Sequence, residues 1–340
     1  MRGVLLPGDR QVVLSDFPDP SPGFGQVVVR MKAAAICGTD LHLYRARPED
    51  RRPSPDMIPG HEPSGVVETI GEGVTHVKPG DRVSVYHYLG CGHCAHCRAG
   101  NIMWCAERRG YGGPVHGSDA DLLLTDERNC LPLPPELSFV DGALIACPAS
   151  TAFSALRKLG ALGGETLVIF GLGPVGLCGT LIGRALGARV IGVEPEAVRR
   201  SLAEEAGAEA TLDPQSDDVV KGIRELTHGT GASAIFETSG QPAAHAAALQ
   251  AAALGGRVAF VGFGAKEKTM APSDFIGKQL TLMGSFVSNI AAYWDLVRLL
   301  MERQIRLEQV VTHRFSLDAA PEAFRLFDSG GSGKVVFEWE

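Results

Sequence analysis

The sequence predicts an α/β protein of two domains, a β-rich lobe joined to a doubly wound parallel sheet. Three observations carry this. Up to about residue 148, short runs such as QVVVRMKAAAI, GVVETIG and DRVSVYHY alternate apolar and polar residues between Pro and Gly turns. From about residue 150 helical and strand patterns take turns: STAFSALRKLG, TLVIF, VGLCGTLIGRALG, RVIGVE, AVRRSLAEEAG, AIFETSG, PAAHAAALQAAA and RVAFVGFG. That alternation demands a parallel sheet with helices on both faces. The third observation is length, since 340 residues exceed one comfortable core and suit two. After LTLMGSF, near residue 286, the alternation ends. A helix (YWDLVRLLMERQ) and a closing β piece (GKVVFEWE) are expected to return to the first domain.

Composition narrows the function. Apolar residues make up 45% and charged residues 21%, a globular balance, and the net charge is −7. No basic stripe is present, so no nucleic-acid partner is expected. The start, MRGVLLPGDRQVVL, has no long apolar core followed by small residues, which leads us to expect a cytoplasmic protein. Residues Thr166 to Gly183 carry no charge and reach the lower end of a membrane-spanning length. Gly171, Gly173, Pro174 and Gly176 interrupt them, however, so a strand, a tight turn and a buried helix are expected there and no membrane span.

The chain has eight cysteines, and in a reducing compartment clustered thiols hold metal or do chemistry. Cys91, Cys94, Cys97 and Cys105 follow the spacing C-x2-C-x2-C-x7-C, four soft ligands on one loop. This suits a closed tetrahedral zinc site that stabilises a segment too poor in apolar residues to fold alone. His93 and His96 lie inside the cluster and are read as facing solvent. A second set is dispersed: Cys37 in ICGTD, His61 in PGHEPSG and Cys147 in IACPAST. Each alone would be an ordinary core residue. Together they form a Cys2His set suited to a catalytic zinc with one open position. Two zinc ions per chain are therefore expected, with Cys130 and Cys178 left as packing residues.

The run GLGPVG (Gly171, Gly173, Pro174, Val175 and Gly176 among its residues) matches G-x-G-x-x-G. Alone it is weak. Here it follows the apolar strand TLVIF and opens a helix, and Glu194 ends the next strand 18 residues after Gly176. Gly171 permits the tight turn, Gly173 lets a pyrophosphate approach and Gly176 lets helix and strand pack closely. The helix N-terminus then offers free N–H groups to phosphates. Glu194 would bond both ribose hydroxyls, favouring NAD over NADP. Arg199 and Arg200 lie one turn on and could instead accept a 2′-phosphate.

At this point the sequence resembles the zinc-containing medium-chain alcohol dehydrogenases, essentially from residue 1 to 340. GHEPSGVVETIGEGV is similar to the family's zinc signature and VKPGDRV to the turn of its GroES-like β-barrel. The resemblance implies a GroES-like catalytic domain of residues 1–148 and 287–340 and a Rossmann NAD-binding domain of residues 149–286. It implies that Cys37, His61 and Cys147 hold the catalytic zinc, with Glu62 an acidic neighbour behind the metal and able to approach it. Thr39 would take the substrate proton and His42 would pass it to solvent. Thr151, Arg199 and Lys334 match cofactor-contacting positions, and the backbone at Val261 and Val287 matches the part that holds the nicotinamide. Lys334 stands where arginine is frequent, so a point charge rather than a bidentate fork would meet the pyrophosphate. Pro148 and Ala152 replace common glycines around Cys147, which leaves Glu62 as a substitute ligand.

The implied function is a zinc-dependent alcohol dehydrogenase that moves hydride between an alcohol and NAD, giving a ketone or aldehyde. A zinc-free quinone or enoyl reductase on the same fold would not need Cys37, His61 and Cys147 together. A non-enzymatic NAD or zinc-binding module would not need the Thr39–His42 pair. By resemblance His87 falls near the substrate pocket, where an imidazole could bond a second hydroxyl, so a polar secondary alcohol such as a polyol is expected. The strand KQLTLMGSF would be an apolar sheet edge covered by another chain. The resemblance makes the assembly a homotetramer rather than a dimer.

Overall fold

The chain begins with a hairpin of β1 (Arg2–Gly8) and β2 (Gln11–Asp16), closed by Asp9 and Arg10 in left-handed conformation. The computed structural model describes residues 1–50, 56–160, 162–264 and 269–340. Next comes β3 (Gln26–Ala35), seven of whose ten residues are buried, and the short α1 (Asp40–Arg45). β4 (Pro63–Ile70), β5 (Arg82–Val85) and β6 (Tyr88–Leu89) lead to α2 (Ala95–Arg98), and β7 (Arg109–Gly110), β8 (Leu122–Asp126) and β9 (Cys130–Pro132) follow.

Helix α3 (Phe139–Leu144) starts at a capping box: Asp141 N donates to Ser138 Oγ, and Ser138 N donates to the Asp141 carboxylate. It runs through a π turn (Ile145–Ala149) into α4 (Ser150–Leu159). The sequence reading began a helix only at residue 150. Pro148 lacks the N–H that an α-helix needs, and the wider π turn absorbs that loss without ending the helix. Phe139–Leu159 is also, among the described residues, the one helix long and apolar enough to cross a membrane, and 89% of its window is buried inside the protein.

The alternation continues with β10 (Thr166–Phe170), α5 (Pro174–Ala185), β11 (Arg189–Val193), α6 (Ala197–Glu205), β12 (Ala210–Leu212), α7 (Val219–Leu226), β13 (Ala232–Glu237), α8 (Pro242–Ala251), β14 (Ala252–Phe260), α9 (Ser273–Ile276) and β15 (Thr281–Gly284), of which β12, α7 and α9 are additions to the pattern expected from the sequence. The chain closes with α10 (Ala292–Glu302), β16 (Val311–Phe315), α11 (Ala320–Asp328) and β17 (Lys334–Glu338). Of these last four, β16 and α11 had no counterpart in the sequence reading.

Two units result, Met1–Ser150 with Asn289–Glu340, and Thr151–Ser288. In the first, a seven-stranded sheet runs β16-β17-β3-β4-β5-β9 with β8 also on β3. Val27, Val29, Met31, Val67, Val83, Val85 and Leu123 fill one of its cores. In the second, six parallel strands run β12-β11-β10-β13-β14-β15, the order in which a Rossmann sheet reverses direction between its first and fourth strands. Phe170, Ile191, Ile235 and Val258 pack its interior, each fully buried aliphatic or aromatic side chain stabilising it by roughly 1.5–3 kcal/mol. The expected fold class, a GroES-like barrel with a Rossmann sheet, is the observed one. β15 lies at the sheet edge.

Candidate active site

In the first unit three distant pieces of chain converge. Cys37 follows β3, His61 and Glu62 precede β4, and Cys147 sits in the π turn. One donor atom from each of Cys37, His61, Glu62 and Cys147 lies within 4.8 Å of the others. Zinc ligands at their usual bond lengths stand about 3.3–3.8 Å from one another, so this set fits a tetrahedral zinc by softness and by spacing.

Asp40 holds the arrangement. It is buried; one carboxylate oxygen accepts from Cys37 N at 2.8 Å and the other faces His61 Nδ1 at 3.5 Å. A carboxylate on Nδ1 keeps the proton there and leaves Nε2 as the ligating nitrogen. Thr39 Oγ1 stands 3.4 Å from that Nε2. Burial lowers the pKa of His61, but Cys37 and Asp40 more than offset it and leave it well above the usual value. The hydrogen bond from Cys147 carries the Cys37 thiol well below its usual range, and Cys147 rises correspondingly.

Behind this set lies a fully buried ion pair. Lys334 Nζ donates to the Ile36 carbonyl at 2.7 Å and to Glu62 Oε1 at 2.8 Å. Burial pushes the Glu62 carboxyl up to about 8, against the pull of Lys334. The Lys334 ammonium is thus turned inward and engaged by Glu62 and a carbonyl. The segment before His61 is strapped by residues 117–119, with Gly117 N on Ile58 O, Ser118 N on Gly60 O and Asp119 N on Pro59 O. Gly60 has positive φ, and a Cβ there would lie 2.2 Å from the Asp119 carboxylate.

His87 is buried beside His61, with ring centroids 5.7 Å apart, and shares a 2.7 Å hydrogen bond between Nδ1 and the Ala146 carbonyl. That carbonyl requires Nδ1 to be the protonated nitrogen. Burial, with His61 adding to it, lowers the pKa of His87 to about 4. His42 is exposed on α1, and among the described residues its side chain makes no direct bond with Thr39.

The four-cysteine loop is also assembled. Donor atoms of Cys91, Cys94, Cys97 and Cys105 lie within 4.8 Å of one another. Backbone N–H groups of Cys91, Cys94 and Cys97 each point at a cluster sulfur at 3.4 Å. The N–H of Cys94 foremost, then that of His93, draws the Cys91 thiol down to about 6, the thiolate form that binds metal. His93 and His96 are exposed. Asn289 fastens the loop by donating to the Ala99 carbonyl at 2.8 Å. Cys130 and Cys178 are buried away from both sets.

In the second unit the glycine turn follows β10. Gly171 has φ 84°, and a Cβ on Gly176 would fall 1.9 Å from the Gly171 carbonyl oxygen. A Cβ on Gly173 would meet nothing within 4 Å, so open space faces this residue at the start of α5. Pro174 is the first residue of α5 and Val175 the second. Glu194, buried after β11, accepts from Leu172 N at 2.7 Å, and Arg199 stands 3.8 Å from its other oxygen. Thr151 is buried in α4. Val261 N donates to the Glu237 carbonyl at 2.8 Å. Val287 has φ 46°, a conformation that a β-branched residue adopts only under constraint.

A soft Cys–His–Cys set and a Rossmann turn in one chain define the class of zinc- and NAD-dependent alcohol dehydrogenases, oxidoreductases that act on CH–OH groups. Residues 23–135 match the alcohol dehydrogenase GroES-like domain and residues 174–302 the zinc-binding dehydrogenase domain. The chain is 34% identical over its whole length to the uncharacterized zinc-type alcohol dehydrogenase-like protein YphC of Escherichia coli (strain K12), covering 99% of that protein. It is 35% identical to an L-threonine 3-dehydrogenase of Pyrococcus horikoshii, over 94% of this chain and 92% of that one. A solved NAD-dependent alcohol dehydrogenase superposes with a TM-score of 0.88 at 30% identity, over all of both chains. The chain belongs to the zinc-binding medium-chain alcohol dehydrogenase family. The zinc-free reductase and the non-enzymatic module are not favoured.

Proposed function

We propose that this enzyme oxidises a polar secondary alcohol, of the polyol or sugar-derivative kind, to a ketone, with NAD⁺ as hydride acceptor. The observation that carries the choice of substrate is His87. Its Nδ1–H is taken by the Ala146 carbonyl and its pKa is about 4, so at neutral pH Nε2 is a neutral acceptor for a second substrate hydroxyl. A site that bonds a hydroxyl rejects analogues lacking it far more strongly than an apolar wall discriminates size. The similarity to L-threonine 3-dehydrogenase, named for a polar secondary alcohol, points the same way.

In this reading the first unit is the catalytic domain and the second the NAD-binding domain. Cys37, His61 and Cys147 would hold the catalytic zinc, with Glu62 behind them, and Cys91, Cys94, Cys97 and Cys105 would hold a second, structural zinc. A zinc held there would supply Lewis-acid polarisation to a bound alcohol. Thr39, beside His61 Nε2, takes the hydroxyl proton, and exposed His42 passes it to solvent. Asp40 fixes the His61 tautomer. Gly171, Gly173, Pro174, Val175 and Gly176 shape the phosphate turn, and Glu194, Arg199 and Thr151 shape the remaining cofactor contacts. The backbone of Val261 and of the constrained Val287 holds the nicotinamide end. The edge strand β15 would pair between chains in a cytoplasmic homotetramer.

NADH formation with a panel of simple alcohols, diols and polyols tests the substrate class. Preference for unsubstituted aliphatic alcohols over every diol and polyol would overturn it. His87→Phe should lose polyol activity and spare simple alcohols.

A further inference from the structure

The second unit buries a carboxylate and an imidazole that the reaction does not use. Glu237 ends β13 and is fully buried, and His245 lies one turn into α8 and is nearly so. α8 is PAAHAAALQA, alanine-rich, and His245 is its one buried polar side chain. A histidine on such a face is usually a core residue with a single local partner. Here its partners lie on two segments, Glu237 at the end of β13 and Thr269 downstream of β14. Nε2 stands 3.4 Å from Glu237 Oε2, an electrostatic contact outside hydrogen-bond geometry, and Nδ1 is 2.9 Å from Thr269 Oγ1. The ring edge packs on Phe260 at the end of β14.

Glu237 gathers the turn that follows it. Its carboxylate accepts from Ser239 N at 2.9 Å, from Gly240 N at 3.0 Å and from the Ser239 hydroxyl. Its carbonyl accepts from Val261 N and Gly262 N, at the start of the turn after β14. The two turns touch backbone to backbone, since a Cβ on Gly262 would lie 2.2 Å from Gly240 N and one on Gly264 would lie 2.4 Å from the Gly240 carbonyl oxygen. The first turn also abuts the phosphate turn, where a Cβ on Gly171 would lie 2.9 Å from Ser239 N. Glycine contacts this close leave no slack, so a shift of residues 238–241 displaces both neighbours. These turns lie at the carboxyl ends of the strands, where open α/β sheets bind their ligands.

We propose that Glu237 and His245 are a positioning pair that locks the turn after β13 to the turn after β14, and so fixes the backbone that receives the nicotinamide end of the cofactor. This rests on the nucleotide-binding reading of the second unit. The pair touches neither substrate nor cofactor.

The test compares two probes, NADH and ADP-ribose, which shares the phosphates and adenosine but lacks the nicotinamide. Dissociation constants are measured by calorimetry on the zinc-loaded full chain, with the unfolding temperature of each variant. His245→Leu, which removes the Thr269 hydrogen bond and the electrostatic contact with Glu237, should weaken NADH by about tenfold and leave ADP-ribose within about twofold. His245→Asn can still reach Thr269 and should recover part of the NADH affinity. If the leucine variant is too unstable to assay, Glu237→Gln, which keeps acceptors for Gly240 N, should show the same split in milder form. Equal weakening of both probes, or unchanged affinity for both with only a lower unfolding temperature, would reduce the pair to a structural role and overturn the inference. A wild-type protein that binds neither probe would overturn the nucleotide reading itself, and the inference with it.

Discussion

Two glycines three residues apart, Gly173 and Gly176, separate cofactor binding from folding. Gly173 has φ −65° and ψ −177°, which alanine adopts freely, and its added methyl would meet nothing within 4 Å. Gly173→Ala should therefore fold at least as well as the wild type and gain about 0.4–1 kcal/mol from a less flexible unfolded chain. The same methyl would occupy the space through which a pyrophosphate approaches the α5 N-terminus. Each charge-assisted N–H bond lost there is worth about 1.5–3 kcal/mol, so NADH affinity should fall about 10- to 150-fold. Gly176→Ala makes the opposite case. Its methyl would land 1.9 Å from the Gly171 carbonyl oxygen, a backbone atom that cannot swing aside. Overpacking of that kind costs about 1–3 kcal/mol and should lower the unfolding temperature as well as the affinity. NADH titration beside thermal unfolding reads both quantities. A Gly173→Ala protein that binds NADH within twofold of wild type would refute the placement of phosphate at this turn.

Three further outcomes are expected. Elemental analysis should give two zinc ions per chain; Cys94→Ser should lose one and much of its solubility, whereas Cys37→Ser should stay folded and inactive. Lys334→Met leaves Glu62 buried without its partner and should destabilise the zinc-loaded protein by about 3–5 kcal/mol while NADH affinity holds; lost affinity at unchanged stability would return Lys334 to the cofactor. Burial, with Asp40 nearby, holds the Asp119 carboxyl well above its usual range. The folded state thus keeps a proton that the unfolded chain releases, so this group's contribution is full below its unfolded pKa and declines as pH rises towards the folded value. Asp119→Asn removes that decline, and unfolding midpoints from pH 5 to 8 should move in the variant's favour; a pH-independent difference would contradict this.

What the sequence revealed depended on how local each signal was. The four-cysteine loop was legible because all its ligands fall within fifteen residues, and the Rossmann turn because strand, glycines and helix are contiguous. Cys37, His61 and Cys147 were legible only by residue type, since nothing in their spacing places them together. The Glu62–Lys334 pair was not legible for the same reason, since 272 residues separate the partners. The helix from residue 139 was hidden by Pro148, which normally ends a helix and here sits in a π turn. Asp40 went unread because one acid three residues after a cysteine is common, although a carboxylate that close to a ligand is the usual orienting partner of a metal-bound histidine. Glu237 and His245 carried no signal, because their partners are turns whose packing only the fold creates.

The charges around the first cluster explain why such buried acids can coexist. Without a metal, protons stay on this region: burial pushes the Glu62 carboxyl up to about 8, and Cys147 and His61 are held well above their usual values. Charges so placed are tolerated only when paired or when they hold a metal. A dication would displace those protons, and two thiolates and two carboxylates against the dication and Lys334 would then sum to −1, with Asp40 on His61 and Glu62 on Lys334 as orienting groups. Asp119, fully buried with neither carboxylate oxygen hydrogen-bonded, has its carboxyl raised well above the usual range, by burial first and by Asp40 next. The same donor set that suits zinc by softness therefore suits it by charge, and a monovalent ion would leave the region too negative.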